Sequence, residues 1–186
     1  MSNDDTKALS PEYRKRLRRY YLECIASDGS KMIIFIIFFL TQGLVKEFLI
    51  SLVFMIPLRN VGGGLHCKHY FSCLLVSFTV LCGNVYLGVY QSVNVYVKLI
   101  SILLGGVIAY LLVPITSSNR PAATPEQVVN CKRNTCVILL ISMIVMFLLP
   151  NNIYTNVGYW TIMLHILQLL IAHGMKEVKT NGRLGI

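Results

Sequence analysis

The sequence is short of charge. Asp, Glu, Lys and Arg make up 13% of its 186 residues, against 55% hydrophobic ones, where a soluble domain carries about 25% and about 45–50%. That excludes a disordered chain and argues against an ordinary water-soluble domain. Cysteine is sparse: six residues are far too few for a disulfide-framed secreted scaffold. Acidic residues are scarcer than basic ones, 8 against 17, and none falls between positions 48 and 125. The net charge of +9 need not mean nucleic acid, because the basic residues sit beside apolar runs and so suit a membrane surface. No internal repeat or low-complexity tract is visible. No Gly-Lys-Ser/Thr follows Gly62-Gly63-Gly64, so the glycines are no P-loop and no ATP site is expected.

What the chain has is long apolar stretches and a mean hydropathy of +0.62. The expected fold is an all-α polytopic membrane protein, a single membrane domain over 1–186. It comprises a basic N-terminal segment (1–31), membrane helices (32–175) and a tail (176–186). In the first segment Leu17, Tyr20, Tyr21 and Cys24 fall at helical spacing beside Arg14, Lys15, Arg16, Arg18 and Arg19. This predicts an interfacial amphipathic helix on anionic lipids. About six hydrophobic helices follow. The first stretch, 32–57, is interrupted by Lys46-Glu47. Its first part, 32–45, would be about 21 Å long against a hydrocarbon core of about 30 Å. Two short helices in a re-entrant hairpin, with Lys46-Glu47 at the tip and Pro57 ending the second, are favoured over one span. Four longer runs are 70–90, 95–115, 135–149 and 158–175.

The connections 91–94 and 150–157 carry no Lys or Arg, whereas 1–31, 58–69, 116–134 and 176–186 carry seven, two, three and three. The positive-inside rule then places both termini and the 58–69 and 116–134 loops in the cytosol. Lys98, near the start of a run, is expected to snorkel outward.

The densest reactive chemistry is His66-Cys67-Lys68-His69 and Cys73, behind Arg59 and Gly62-Gly63-Gly64. A cysteine nucleophile needs a thiolate and a nearby base. Cys73 should lie near the first turn of the 70–90 helix, whose positive end favours a thiolate. On one straight helix His66 would sit about 10.5 Å away along the axis, too far to pass a proton, so direct contact requires a bend. Helical continuity would instead pair His69 with Cys73 at i, i+4. Spacing alone leaves His66 or His69, and Cys73 or Cys67, open. With no carboxylate nearby in sequence a Cys–His dyad is expected, its ring oriented through space by Asn60, Asn84 or Glu47. Cys24, Cys82, Cys131 and Cys136 read as small buried hydrophobes, and His165 and His173 as packing or interfacial residues. The His/Cys cluster lacks the paired C-x-x-C spacing of common structural zinc sites, so neither a metal nor any other cofactor is expected.

Arg59, Gly63, Gly64, His66 and Cys73 form an Arg…Gly-Gly-x-His-x6-Cys pattern. With the polytopic layout and Val113-Pro114-Ile115…Asn119-Arg120-Pro121, the chain resembles the accessory gene regulator B (AgrB) family. These are membrane cysteine endopeptidases of peptide quorum sensing in Gram-positive bacteria. The resemblance implies a multi-pass cell-membrane enzyme with His66 and Cys73 as its catalytic pair. It implies an AgrD-like propeptide as substrate, cleavage through a Cys73 acyl-thioester, and closure of a thiolactone or lactone ring. Arg59, Lys132 and Arg133 would hold the acidic tail of that substrate, with Gly63 and Gly64 supporting the site. A homodimer is implied too; a nucleic-acid partner is not. Gly62, Cys67 and His69 lie outside the family pattern. The competing readings are a small membrane peptide transporter and a non-catalytic membrane scaffold, but only Lys46, Glu47 and Lys98 would be intramembrane charges of the kind transporters use.

Overall fold

The computed structural model describes residues 29–63, 70–114 and 125–181, with side chains through 175. The expected interfacial helix in 1–28, and Gly64, His66, Cys67 and His69, lie outside the described residues. The chain falls into two compact units, Met1–Gly43 and Leu44–Ile186. Every described element is a helix, six in all. The first unit contributes α1 (Gly29–Thr41). The second holds α2 (Val45–Gly62), α3 (Tyr70–Tyr90), α4 (Val95–Leu112), α5 (Pro125–Leu148) and α6 (Ile153–Asn181).

α1 is a short apolar helix that exposes Ile33, Ile34, Ile36, Ile37 and Leu40. It ends where the Gly43 N–H donates to Leu40 O and the backbone takes φ 69°. The helix break therefore falls at Gln42–Leu44, and Lys46 and Glu47 lie in the first turn of α2 rather than at a hairpin tip. A single glycine at positive φ breaks a helix, whereas two charged residues of good helical propensity do not. Pro57 does not end the second helix either, since α2 runs on to Gly62. Proline costs a helix only one local hydrogen bond, and membrane helices with packed neighbours tolerate that loss.

Four helices, α3 to α6, are long and apolar enough to cross a membrane. The 21 residues of α3 rise about 31 Å, matching a hydrocarbon core of about 30 Å. Their outer faces are greasy at helical spacing, as with Ile100, Leu103, Leu104, Val107 and Leu111 on α4 and Val137, Leu140, Ile141, Ile144 and Phe147 on α5. Such stripes suit lipid, not water. The described part of α5 begins at Pro125, so Lys132 and Arg133 are helical and not in a loop. Proline suits that first position, where its missing N–H would have no partner.

α6 is the central helix. Half of its apolar window is buried, against 22% for each of α3, α4 and α5, and α2, α3 and α4 all pack on it. The closest approach is α3 to α6. A Cβ on Gly88 would lie 2.5 Å from Val157 Cα, so only glycine fits there. Deep in this contact Asn84 Nδ2 donates to Ser51 Oγ at 3.0 Å, and Ser51 Oγ lies 3.1 Å from Thr161 Oγ1. This buried polar cluster joins α2, α3 and α6.

The turn between α3 and α4 is tied to the turn between α5 and α6. Asn151 Nδ2 donates to Val93 O, the Val93 N–H donates to Asn156 Oδ1, and Trp160 Nε1 donates to Gln91 O. Lys98 belongs to this end but does not snorkel. It is 1% exposed, and its Nζ donates to Asn151 Oδ1 at 2.7 Å and Thr155 Oγ1 at 3.3 Å. Two oxygen acceptors, Asn151 in the turn before α6 and Thr155 in its first turn, hold the ammonium inside the bundle.

Candidate active site

The opposite end of the bundle gathers the candidate residues. Arg59 occupies the last turn of α2. Two glycines that follow do different jobs. Gly62 lets α2 pass close to its neighbours, because a Cβ there would meet His165 Nε2 at 3.3 Å, Val113 Cγ2 at 3.5 Å and Leu169 Cδ2 at 3.8 Å. Gly63 stops the helix. Its N–H donates to Arg59 O at 3.1 Å and its backbone takes φ 80°, ψ −153°, a region open essentially to glycine alone. Gly62, which falls outside the family pattern, thus has a packing role.

Cys73 is the fourth described residue of α3 and is half-buried. The backbone N–H groups of a helix's first turn have no acceptor within the helix itself and carry its positive end. A thiolate and a developing oxyanion are both favoured there.

A small cleft between α2, α3 and α6 is lined by Met55, Arg59, Val76, Ser77, Val80 and Gln168. Cys73, Val76, Ser77 and Val80 stand at i, i+3, i+4 and i+7, so one face of α3 carries both the thiol and the cleft wall. Arg59 lines this cleft, and Cys73 stands one turn before Val76 and Ser77 on the same helix. Lys132, on α5, places its Nζ 4.9 Å from the centre of the Tyr110 ring at the same end of the bundle. Arg133 is exposed beside it.

His66 and His69 lie outside the described residues, so the expected imidazole orienters are placed here only relative to Arg59 and Cys73. Glu47 stands in the first turn of α2, about 18 Å along the helix from Arg59. Asn84 is about 16 Å along α3 from Cys73 and is held by Ser51. Asn60 remains at the site end, exposed in the last turn of α2.

His165 packs as the sequence suggested, 4% exposed, but its Nε2 has no hydrogen-bond partner and faces Gly62. No group of three or more metal-ligating side chains occurs among the described residues. Sequence reasoning missed the contribution of α6. Gln168 lies far from the His/Cys segment in the chain, and only its spacing from His165 on a helical face hinted at it. Ser77 was findable, one turn after Cys73.

The accessory gene regulator B family model matches residues 3–169, nearly the whole chain. The chain belongs to the AgrB family. An AgrB-like protein from Clostridium beijerinckii is 29% identical over 159 residues, covering 82% of this chain and 75% of that protein. No solved structure matches. The AgrB match spans α1 to α5, most of α6, and every candidate residue from Arg59 to Arg133.

Proposed function

We propose that this AgrB-family chain is a membrane cysteine endopeptidase. It cleaves an AgrD-like propeptide and closes the released signal segment into a thiolactone or lactone ring. The observation that supports this reading is that Cys73 is half-buried on a helix long and apolar enough to cross a membrane, on the same helical face as Val76, Ser77 and Val80, which with Arg59 line a small cleft. Family membership supports the peptide-processing role. The positive-inside pattern supports a cytosolic position for this end of the bundle, for both termini and for the acidic substrate tail.

His66 takes the Cys73 thiol proton, and the thiolate attacks the carbonyl that precedes the tail. First-turn N–H groups of α3 steady the oxyanion. Collapse breaks the C–N bond, and His66 returns its proton to the departing amine. The signal segment stays on Cys73 as a thioester. A thiol or hydroxyl of the peptide then attacks the same carbonyl, closing the ring and restoring the Cys73 thiol. Exchange of one thioester for another is nearly neutral in energy, so this step needs no nucleotide. Arg59, with Lys132 and Arg133 nearby on α5, attracts the acidic tail, whose carboxylates match guanidinium forks. Gly63 and Gly64 shape the chain leading to His66.

The test is proteolysis of an AgrD-like propeptide co-expressed with the full chain. Cys73→Ala and His66→Ala should each abolish cleavage while inserting normally into the membrane, and His69→Ala should reduce it only partly. Cleavage by Cys73→Ala rejects the assignment and shifts suspicion to Cys67. Complete loss in His69→Ala makes that ring the base.

A further inference from the structure

We propose that one flank of the α4–α5 pair, at the Cys73 end of the bundle, binds an anionic phospholipid. Lys132 and Arg133 take its phosphate, and an apolar strip on the two helices takes an acyl chain. The inference rests on α4 and α5 alone and does not depend on the reading of Cys73.

The position of Arg133 is the first argument. The apolar outward stripe of α5 runs through Val137, Leu140, Ile141 and Ile144, and Val129 is exposed two turns before Val137. Arg133 is exposed midway between Val129 and Val137, four residues from each, so it stands in the same stripe. A guanidinium turned toward lipid needs an anion or the aqueous boundary. The adjoining cation, Lys132, is half-buried with its Nζ over the Tyr110 ring. The nearest acidic residue of α5, Glu126, is two turns from Arg133, about 10.5 Å along the axis. The patch is therefore net positive.

Depth is the second. The 18 residues of α4 rise about 27 Å, close to a hydrocarbon core of about 30 Å. Tyr110 is in its last turn and 45% exposed. Tyrosines at the ends of spanning helices mark the headgroup level. Lys132, on the Tyr110 ring, and Arg133 beside it thus stand at the level of lipid phosphates.

The third is a strip for the chain. A Cβ on Gly106 would lie 3.3 Å from Leu139 Cδ1, and Tyr110 meets Lys132. These two pairs mark the seam between the antiparallel helices. One step round from it, Leu103 and Val107 are exposed on α4, as are Arg133, Leu140 and Ile144 on α5. In an antiparallel pair, residues that follow round in the same sense fall on one flank, so the cations and the apolar strip share a flank. Arg133 to Ile144 is about 16 Å along α5, the depth of one leaflet of a hydrocarbon core of about 30 Å. An anionic phospholipid presents that combination. A zwitterionic lipid brings a cation of its own, and free phosphate brings no chain. An acidic peptide tail that reaches these cations from water has to displace the phosphate.

The experiment places the full chain in phosphatidylcholine nanodiscs that contain a minor fraction of phosphatidylglycerol with a diazirine in its acyl chain. After irradiation, mass spectrometry compares labelling of Leu103, Val107, Leu140 and Ile144 with that of Ile33 and Ile37, which are exposed on α1. The strip should be labelled in preference to α1, and a diazirine on phosphatidylcholine should show no such preference. Lys132→Gln and Arg133→Gln should each lower the preference by about fivefold, and Arg133→Lys should retain most of it. Lys46→Gln, in the first turn of α2 at the other end of the bundle, should leave it unchanged. Glycerol 3-phosphate should not compete. Equal labelling from the two lipids, or a preference that survives Lys132→Gln combined with Arg133→Gln, overturns the lipid site. Displacement by glycerol 3-phosphate makes it a free-phosphate site and overturns it too. Labelling without lipid-charge preference that a glutamate-rich peptide still abolishes assigns the cations to peptide instead.

Discussion

Gly62 of α2 lies directly against His165 of α6, with the imidazole Nε2 3.3 Å from where a Cβ would stand. This contact helps fix where the last turn of α2, with Arg59, meets the central helix. At Gly88 the obstacle is the backbone of Val157, 2.5 Å from the same hypothetical atom. A side chain can yield and a backbone cannot. Gly88→Ala should therefore lower the thermal unfolding midpoint more than Gly62→Ala, by the equivalent of about 1–3 kcal/mol or more for overpacking. Thermal unfolding in detergent with a thiol-reactive dye measures both. A larger loss in Gly62→Ala would contradict the α3–α6 approach.

Gly63 carries a backbone conformation that other residues adopt only under strain. Gly63→Ala should cost about 1–3 kcal/mol. It should also depress propeptide cleavage more than it depresses stability, because it redirects the chain between Arg59 and Cys73. Unfolding and cleavage assayed on one preparation separate the two effects. A variant with full activity would show that the turn has no bearing on the site.

Much of this architecture was legible from residues alone. The run 70–90 is helical throughout and α3 ends with it at Tyr90, because an uninterrupted apolar stretch of membrane length leaves little freedom for its end. The start of α5 was not legible. Asn130-Cys131-Lys132-Arg133-Asn134 reads as a polar loop, yet it winds as helix with Arg133 exposed and Thr135 and Leu139 buried. Proline misled at position 57 because packed neighbours stabilise a helix that propensity alone would end. Cys73 was legible as a residue of the 70–90 helix. The cleft was not, since Gln168 reaches it from a helix far along the chain and only packing brings them together.

Lys98 is a buried ammonium whose partners, Asn151 and Thr155, are both uncharged. Removing the charge relieves its desolvation. Removing an acceptor leaves the charge buried with less support. Lys98→Met should therefore be neutral or stabilising, by up to about 4 kcal/mol, whereas Asn151→Ala should destabilise by about 1.5–3 kcal/mol. Unfolding midpoints of the two variants in detergent check the signs, and a strongly destabilised Lys98→Met would reverse the argument.

The Ser51 hydroxyl sits between Asn84 and Thr161, and Asn84 Oδ1 is already without a partner. Ser51→Ala strands the Asn84 amide altogether and should cost about 1–3 kcal/mol. Adding Asn84→Leu should recover part of that loss, since two apolar groups of similar shape need no hydrogen bond. A double variant no more stable than Ser51→Ala would show that the cluster does not act as a unit.

The most direct measurement is the mass of the intact protein after brief incubation with propeptide and an acid stop. The wild-type chain should gain the mass of the signal segment without its tail, on the tryptic or chymotryptic fragment that contains Cys73, and hydroxylamine should remove it. Cys73→Ala should gain nothing. An adduct that survives in Cys73→Ala, or propeptide cleavage with no adduct at any time point, would contradict covalent catalysis at this sulfur.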